Sequence, residues 1–344
     1  MTIKDVAAYC GVSVSTVSRV MNDHPDVSQP VRERVLDAVE RLGYVPNRTA
    51  QDLVRPQEDC VGVVVRGMGN PFYAPIILAI EHACRERNYT MLTHFISEQD
   101  DEVVLGAEFA NAKRVKGLIF LGGHFDYGRR EQALIRLPFV CCTYTNQFGH
   151  LDETAYSSVS IDDVTEAMRA VRLLTELGHR KVAILLGSPT DQSISELRYQ
   201  GYANALASVG VSVDPALVCE VSSFSMADAY QAVSNLFEAR PDVTAVFSVS
   251  DAMAMAAIKA LADRGLRVPA DVSVVGIDGI ESSIYTIPTL TTLVQPKEEL
   301  GAWAVSVLVD QIEGREAAGH RILAADLRAG GSIGPVRASS AQDG

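Results

Sequence analysis

The chain has no uninterrupted apolar run of about eighteen residues, so nothing in it reads as a membrane-spanning helix. Its six cysteines, Cys10, Cys60, Cys84, Cys141, Cys142 and Cys219, lie at irregular spacings, mostly inside apolar runs. They form neither a disulfide framework nor a zinc pattern, and buried reduced thiols are the better reading. The N-terminus reads as a capped amphipathic helix instead of a charged and then apolar leader, so no secretory signal and a cytoplasmic location are expected. Enzyme signatures are missing as well. No Gly-x-Gly-x-x-Gly follows the first strand, no phosphate-cradling Gly-Lys-Ser/Thr loop occurs, and there is no Gly-x-Ser-x-Gly elbow. No catalytic residue, cofactor or metal is therefore assigned. Basic charge is also scarce: the 344 residues carry a formal net charge of −13. Within residues 1–59, Lys4, Arg19, Arg32, Arg34, Arg41, Arg48 and Arg55 are outnumbered by nine carboxylates. General attraction to a polyanion is excluded as a source of affinity. A nucleic-acid function would need one locally basic face, oriented helix termini and two copies acting together.

Against these absences stands a punctuated helical unit. Thr2 with Asp5 three residues on is a capping-box pattern, and Gly11 sits where a helix stops. Ser13 then caps a second short helix after a tight turn, giving a helix-turn-helix. That second helix opens with Ser15 and Thr16 and carries Arg19 one turn on, a composition suited to lying against base edges in a major groove. A third helix, capped by Ser28 with Pro30 in its first turn, runs to Gly43. Val17, Val20, Val31, Val35 and Leu42 fall at helical spacing and read as the core of this unit.

Residues 47–59 are polar, with Leu53 isolated and Pro56 near the end, and read as a linker or marginal helix. From residue 60, β-branched runs alternate with helical stretches. Strands are expected at 60–65, 90–95, 117–121, 139–143, 158–161, 181–186, 244–249, 272–277 and 290–294. Helices are expected at 72–87, 163–177, 195–208, 226–238, 251–264 and 297–313. Such alternation implies parallel sheets covered on both faces, and nine strands suggest two sheets divided near 150–162. Open parallel sheets place ligands beyond the carboxyl ends of their strands, so two facing sheets would make a cleft.

The whole chain resembles the lac-repressor (LacI/GalR) family of transcription regulators. The resemblance is carried by Thr2-Ile-Lys-Asp-Val-Ala7, Gly11 through Asn22, Leu42-Gly-Tyr-Val-Pro-Asn47, Asn70-Pro-Phe-Tyr73, Leu177-Gly-His-Arg180, Val274-Val-Gly-Ile-Asp278 and Leu290-Thr-Thr292. It implies an α/β protein: an N-terminal three-helix helix-turn-helix headpiece (1–46), a hinge (47–59), and a periplasmic-binding-protein-like, two-lobed body with doubly wound parallel sheets (60–344). The N-lobe is expected at about 60–161 and 293–321, the C-lobe at about 162–292 and 322–337. For DNA, the resemblance places Val14, Ser15 and Arg19 at base edges and Thr2, Thr16, Ser18, Asn22, Ser28, Asn47 and Ala50 among the DNA-contacting positions. It matches Leu53 to the hinge leucine that family members wedge into the minor groove. Where many relatives have Ala-Arg in the hinge, this chain has Ala50-Gln51.

For the effector, the resemblance points to Phe72, Tyr73, Arg198, Phe224, Ser250, Asp278 and Gln295. These types suit a sugar-like ligand, which needs donors and acceptors for hydroxyls and an apolar surface for its C–H faces. Bland readings stand beside them. Phe72 with Ile76 and Ile80 also fits a core stripe, Asp251 and Asp278 also fit helix caps, and Asp162-Asp163 fits the cap of the helix that begins there. His179 reads as a turn residue, and His124 and Tyr285 are not assigned. Family members often carry Asn-Asp where this chain has Ser250-Asp251, and arginine where it has Glu196. The expectation is a homodimeric repressor of a near-palindromic double-stranded operator, controlled by a small polar effector, with no membrane partner. An effector-independent DNA-binding protein and a solute-binding receptor are the alternatives. The end of the chain has no leucine heptad, which favours a dimer over a tetramer.

Overall fold

The computed structural model describes residues 2–21, 24, 26–43, 59–67, 69–222 and 224–336. Contacts divide the chain into residues 1–58 and 59–344. In the first unit, α1 (Ile3–Cys10), α2 (Val14–Met21) and α3 (Gln29–Leu42) bury Val6, Ala7, Cys10, Val17, Val20, Val35 and Ala38 against one another. The Asp5 carboxylate accepts from the Thr2 backbone N–H at 2.7 Å, which closes the first turn of α1. Gly11, at φ 62°, ends it in the left-handed conformation that glycine adopts without a Cβ penalty. Two residues later Ser13 Oγ accepts from Thr16 N at 3.1 Å and starts α2. Ser28 occupies the N-cap position of α3, but its hydroxyl makes no capping hydrogen bond.

The body contains two six-stranded sheets. In the N-lobe the order is β11-β5-β4-β3-β1-β2, all parallel, with β1 Cys60–Arg66, β2 Thr90–Ile96, β3 Gly117–Leu121, β4 Phe139–Cys142, β5 Ser157–Ile161 and β11 His320–Leu323. The pleat of β1 sorts its valines. Val61, Val63 and Val65 face Ile76 and Ile80 of α4 (Tyr73–Glu86) and Leu300, Ala304 and Leu308 of α11 (Lys297–Ile312), whereas Val64 faces Phe120 and Val103 of α5 (Glu102–Lys113). A short α6 (Arg129–Leu134) completes this lobe.

In the C-lobe the order is β12-β10-β9-β8-β6-β7, with β6 Val182–Leu186, β7 Val218–Glu220, β8 Ala245–Ser248, β9 Ser273–Asp278, β10 Thr291–Val294 and β12 Asp326–Arg328. Only β12 runs antiparallel to its neighbour. The helices are α7 (Asp163–Glu176), α8 (Ile194–Ala207), α9 (Met226–Ala239) and α10 (Asp251–Asp263). Gly201 lets α8 lie directly on α7: a Cβ there would stand 2.3 Å from the Val164 carbonyl oxygen.

The chain passes between lobes after β5, after β10 and after β11. The last two passages correct the expected boundaries. β10 keeps residues 293 and 294 in the C-lobe sheet, and β11 keeps 322 and 323 in the N-lobe sheet, because each strand completes its ladder before crossing. The described residues also contain elements the hydrophobic pattern does not announce: α5, α6, β7, β11 and β12.

Candidate functional site

In the first unit the face opposite the core is polar. Val14, Ser15 and Arg19 of α2 are exposed, with Thr16 and Ser18 half-buried on its flanks. Val14, at 40% exposure, is not part of the headpiece core. Ser13 Oγ lies 2.7 Å from Ser15 Oγ and 2.8 Å from Thr16 Oγ1, which orders the hydroxyls of the first turn. Thr2 and Ser28 are exposed at the starts of α1 and α3. Asn22, Asn47, Ala50 and Leu53 lie outside the described residues.

In the body a cavity of about 650 Å³ is lined from both lobes. All seven residues assigned to a ligand from the sequence, Phe72, Tyr73, Arg198, Phe224, Ser250, Asp278 and Gln295, line it. The reasons they are there differ. Phe72 stands at the start of α4, is 5% exposed, and belongs to the same core stripe as Ile76 and Ile80, so both readings of it hold at once. Ser250 is the N-cap of α10, its Oγ accepting from Met253 N at 3.3 Å. Asp278 ends β9 at φ 133°, and its Oδ1 accepts from Gln295 Nε2 at 2.9 Å.

Arg198, on α8, is 3% exposed and already has acceptors within the protein. Its Nε donates to Asp163 Oδ1 at 2.8 Å, its Nη1 donates to the Val249 carbonyl, and Asp278 Oδ1 lies 3.8 Å away. Asp163 is thus the counter-ion of a cavity arginine, while its neighbour Asp162 caps α7 by accepting from Thr165 N. Burial pushes the Asp278 carboxyl up to about 7; Arg198 works against that shift and nearby Asp251 adds to it. Asp251 caps nothing with its side chain. It accepts from Ile280 N, Ser283 Oγ and Thr292 Oγ1, tying β10 and the turn after β9 to the start of α10. Lys297 sits at the second crossing, where Nζ donates to the carbonyls of Asp278, Gly279 and Gln295, and burial lowers its pKa.

The N-lobe wall holds groups that sequence reasoning passed over: Arg66 at the end of β1, Glu98 just after β2, and His124 just after β3. Behind them Glu102, the first residue of α5 and 1% exposed, accepts from His124 N and Tyr127 Oη, each at 2.6 Å, and pairs with His124 Nδ1 at 3.1 Å. Burial would raise the Glu102 carboxyl, but these hydrogen bonds outweigh it and hold the group at about 2. The signal available in the sequence was position: all three lining residues lie at, or within three residues of, the carboxyl ends of parallel strands. His179 lies elsewhere and is structural, buried with its ring nitrogens 2.9 Å from Thr244 Oγ1 and the Gly334 carbonyl. Tyr285 is exposed. Among the described residues no cluster of metal-ligand type occurs, and no helix is long and apolar enough to cross a membrane.

A helix-turn-helix with an open polar recognition helix, joined to a two-lobed body that encloses a polar cavity, defines a DNA-binding transcription regulator controlled by a small effector. Comparison with known proteins agrees. Residues 2–47 match the model of bacterial regulatory proteins of the lacI family, and residues 171–333 match that of a periplasmic binding protein-like domain. The transcriptional regulator MalR of Clostridium butyricum is 38% identical over 331 residues, covering 95% of this chain and 97% of that protein. The solved complex of the transcriptional regulator CelR with cellobiose is 32% identical, covers 96% of this chain and 99% of that one, and superposes with a TM-score of 0.72. The lac repressor dimer bound to operator and the anti-inducer ONPF is 28% identical, covers 97% and 99%, and has a TM-score of 0.73. The chain belongs to the lacI family of bacterial regulatory proteins.

Proposed function

We propose that the protein is a homodimeric repressor that reads a near-palindromic operator with two headpieces and releases or tightens on it when a small neutral saccharide enters the body. The observation that carries the ligand class is the make-up of the cavity. Arg198, Asp278 and Gln295 present buried donors and acceptors at one wall, and the rings of Phe72, Tyr73 and Phe224 offer flat apolar faces. That is the combination a pyranose needs. A volume of about 650 Å³ has room for a two-ring sugar, and the CelR complex holds cellobiose. Arg198 is met by Asp163 and Asp278, and Arg66 and His124 are met by Glu102, which argues against a phosphorylated ligand.

On the DNA side, Arg19, Ser15 and Val14 on the exposed face of α2 support major-groove reading, and Thr2, Thr16, Ser18 and Ser28 support phosphate contact. With a net charge of −13, one headpiece has little non-specific affinity to draw on, so pairing of two copies supplies the strength. Thermal-shift measurement against glucose, maltose and cellobiose tests the ligand class. A ligand at about a hundredfold over its Kd adds roughly 2.7 kcal/mol to stability. Absence of any shift across such a panel at millimolar sugar overturns the saccharide reading.

A further inference from the structure

We infer that His124, clamped between Glu102 and Arg66, is a specificity-determining residue of the cleft, and that only its neutral ring lets the N-lobe wall bind a neutral saccharide. This rests on the saccharide reading of the cavity. The argument begins with Glu102, an ionised and therefore acceptor-only group. Its partner His124 Nδ1, 3.1 Å away, must carry the proton. In a neutral imidazole Nε2 is then an acceptor, and it accepts from Arg66 Nη2 at 3.2 Å. The second proton of Arg66 Nη2 goes to the Glu98 backbone carbonyl. Every hydrogen-bond direction in the chain Arg66–His124–Glu102 is thereby fixed.

Arg66 is left with its Nη1 protons, which take no partner among the described residues, and with a buried, unpartnered Nε 3.8 Å from Glu102 Oε2. In this state the wall offers guanidinium donors, and Glu98 lines the same cavity as a source of acceptors, the two groups a vicinal diol requires. Tyr73 lines the same cavity, and the charges of both this cluster and the Arg198–Asp278 cluster act on its phenol.

Protonating His124 reverses the polarity at Nε2. A donor then faces a donor and a cation faces a cation, so the Arg66–His124 contact cannot persist. Glu102, at 3.8 Å from Arg66 Nε, is the acceptor the freed guanidinium meets. The groups facing the ring are Glu102 from α5, Arg66 from β1 and Asp126 from its own loop. The hydrogen bond to Glu102 leads these influences, and together they raise the His124 pKa above its ordinary value of 6.5. A neutral saccharide should thus bind tightest above that raised pKa, and weaken as pH falls through it by at most ~tenfold per pH unit.

The experiment is titration calorimetry of the full chain with cellobiose and glucose from pH 5.5 to 8.5, in buffers of different ionisation enthalpy. It is paired with proton NMR of the His124 ring with and without sugar. The expected result is net proton release on cellobiose binding near the His124 pKa, a lowered His124 pKa in the complex, and a flat pH profile in His124→Gln. In that variant no group at position 124 titrates across the range, so its affinity, whatever its level, should not vary with pH through the His124 pKa. Cellobiose binding without proton exchange, or an unchanged pH profile in His124→Gln, overturns this inference and leaves the saccharide reading standing. If neither sugar binds at any pH, the saccharide reading falls and this inference falls with it.

Discussion

Replacing Arg198 by methionine isolates a buried ion pair of the cleft. Arg198 and Asp163 are both almost fully buried and meet at 2.8 Å, so removing the cation leaves a carboxylate with no solvent and no counter-charge. Breaking a buried pair from one side costs about 3–5 kcal/mol. At roughly 2.1 cal/mol/K of unfolding entropy per residue, that corresponds for a body of this size to a fall in Tm of roughly 5–8 °C. The loss should depend on pH in a particular direction. Burial already raises the Asp163 carboxyl, with Arg198 opposing the shift, and without Arg198 it rises further. A carboxyl whose folded pKa exceeds its unfolded value favours the folded state below the unfolded pKa, and that contribution is lost as pH rises through the folded one. The deficit of Arg198→Met should accordingly be small near pH 5 and full at pH 8. Adding Asp163→Asn removes the stranded charge and should return a substantial part of the loss. Scanning calorimetry of the two variants and wild type at both pH values provides the readout. An equal deficit at pH 5 and pH 8, or no recovery in the double variant, would refute the reasoning. The same numbers show that a lost sugar response in Arg198→Ala alone would not separate ligand contact from damage to the fold.

The other expectations are simpler. Asp278→Asn should gain stability relative to wild type between pH 5 and pH 8, because the wild-type carboxyl, raised to about 7 chiefly by burial, loses its favourable protonated form across that window; thermal melts at the two pH values check the sign. Gly201→Ala should cost about 1–3 kcal/mol, since the new methyl meets the Val164 carbonyl at 2.3 Å and forces α7 and α8 apart; denaturant midpoints measure it. Arg19→Ala should weaken a selected operator by about 1–3 kcal/mol without changing the melting of the body, as read by anisotropy titration and calorimetry.

Much of the architecture was legible because β-branched strands and amphipathic helices differ in period. The exceptions share a cause. β11 and β12 are edge strands, so most of their side chains face solvent and no apolar alternation marks them. α5 shows almost no amphipathic contrast: it buries Glu102 and Gly106 beside Val103 and Ala110, and only the Asp101 cap, accepting from Val103 N and Val104 N, announces it. In the cleft, residues in recognisable motifs, such as Asp278 after Val-Gly-Ile, were found from sequence. Arg66 ends β1, whereas Glu98 and His124 follow β2 and β3, and the three become neighbours only when the sheet forms. Asp163 was legible as a helix start but not as a counter-ion, since its partner is thirty-five residues away.

The route of the chain through the two lobes bears on how the protein is made. Strand β5 has no outer neighbour until His320–Leu323 arrives, and the face of β1 that carries Val61, Val63 and Val65 is covered by α4 alone until α11 has been synthesised. A nascent chain leaving the ribosome can complete its headpiece early, because the core of those three helices is formed among themselves. The first lobe, by contrast, must wait with an open sheet edge and a partly covered apolar face while nearly the whole of the second lobe is translated. Chains that stop before about residue 320 would therefore carry a finished DNA-reading module on an unfinished, aggregation-prone body.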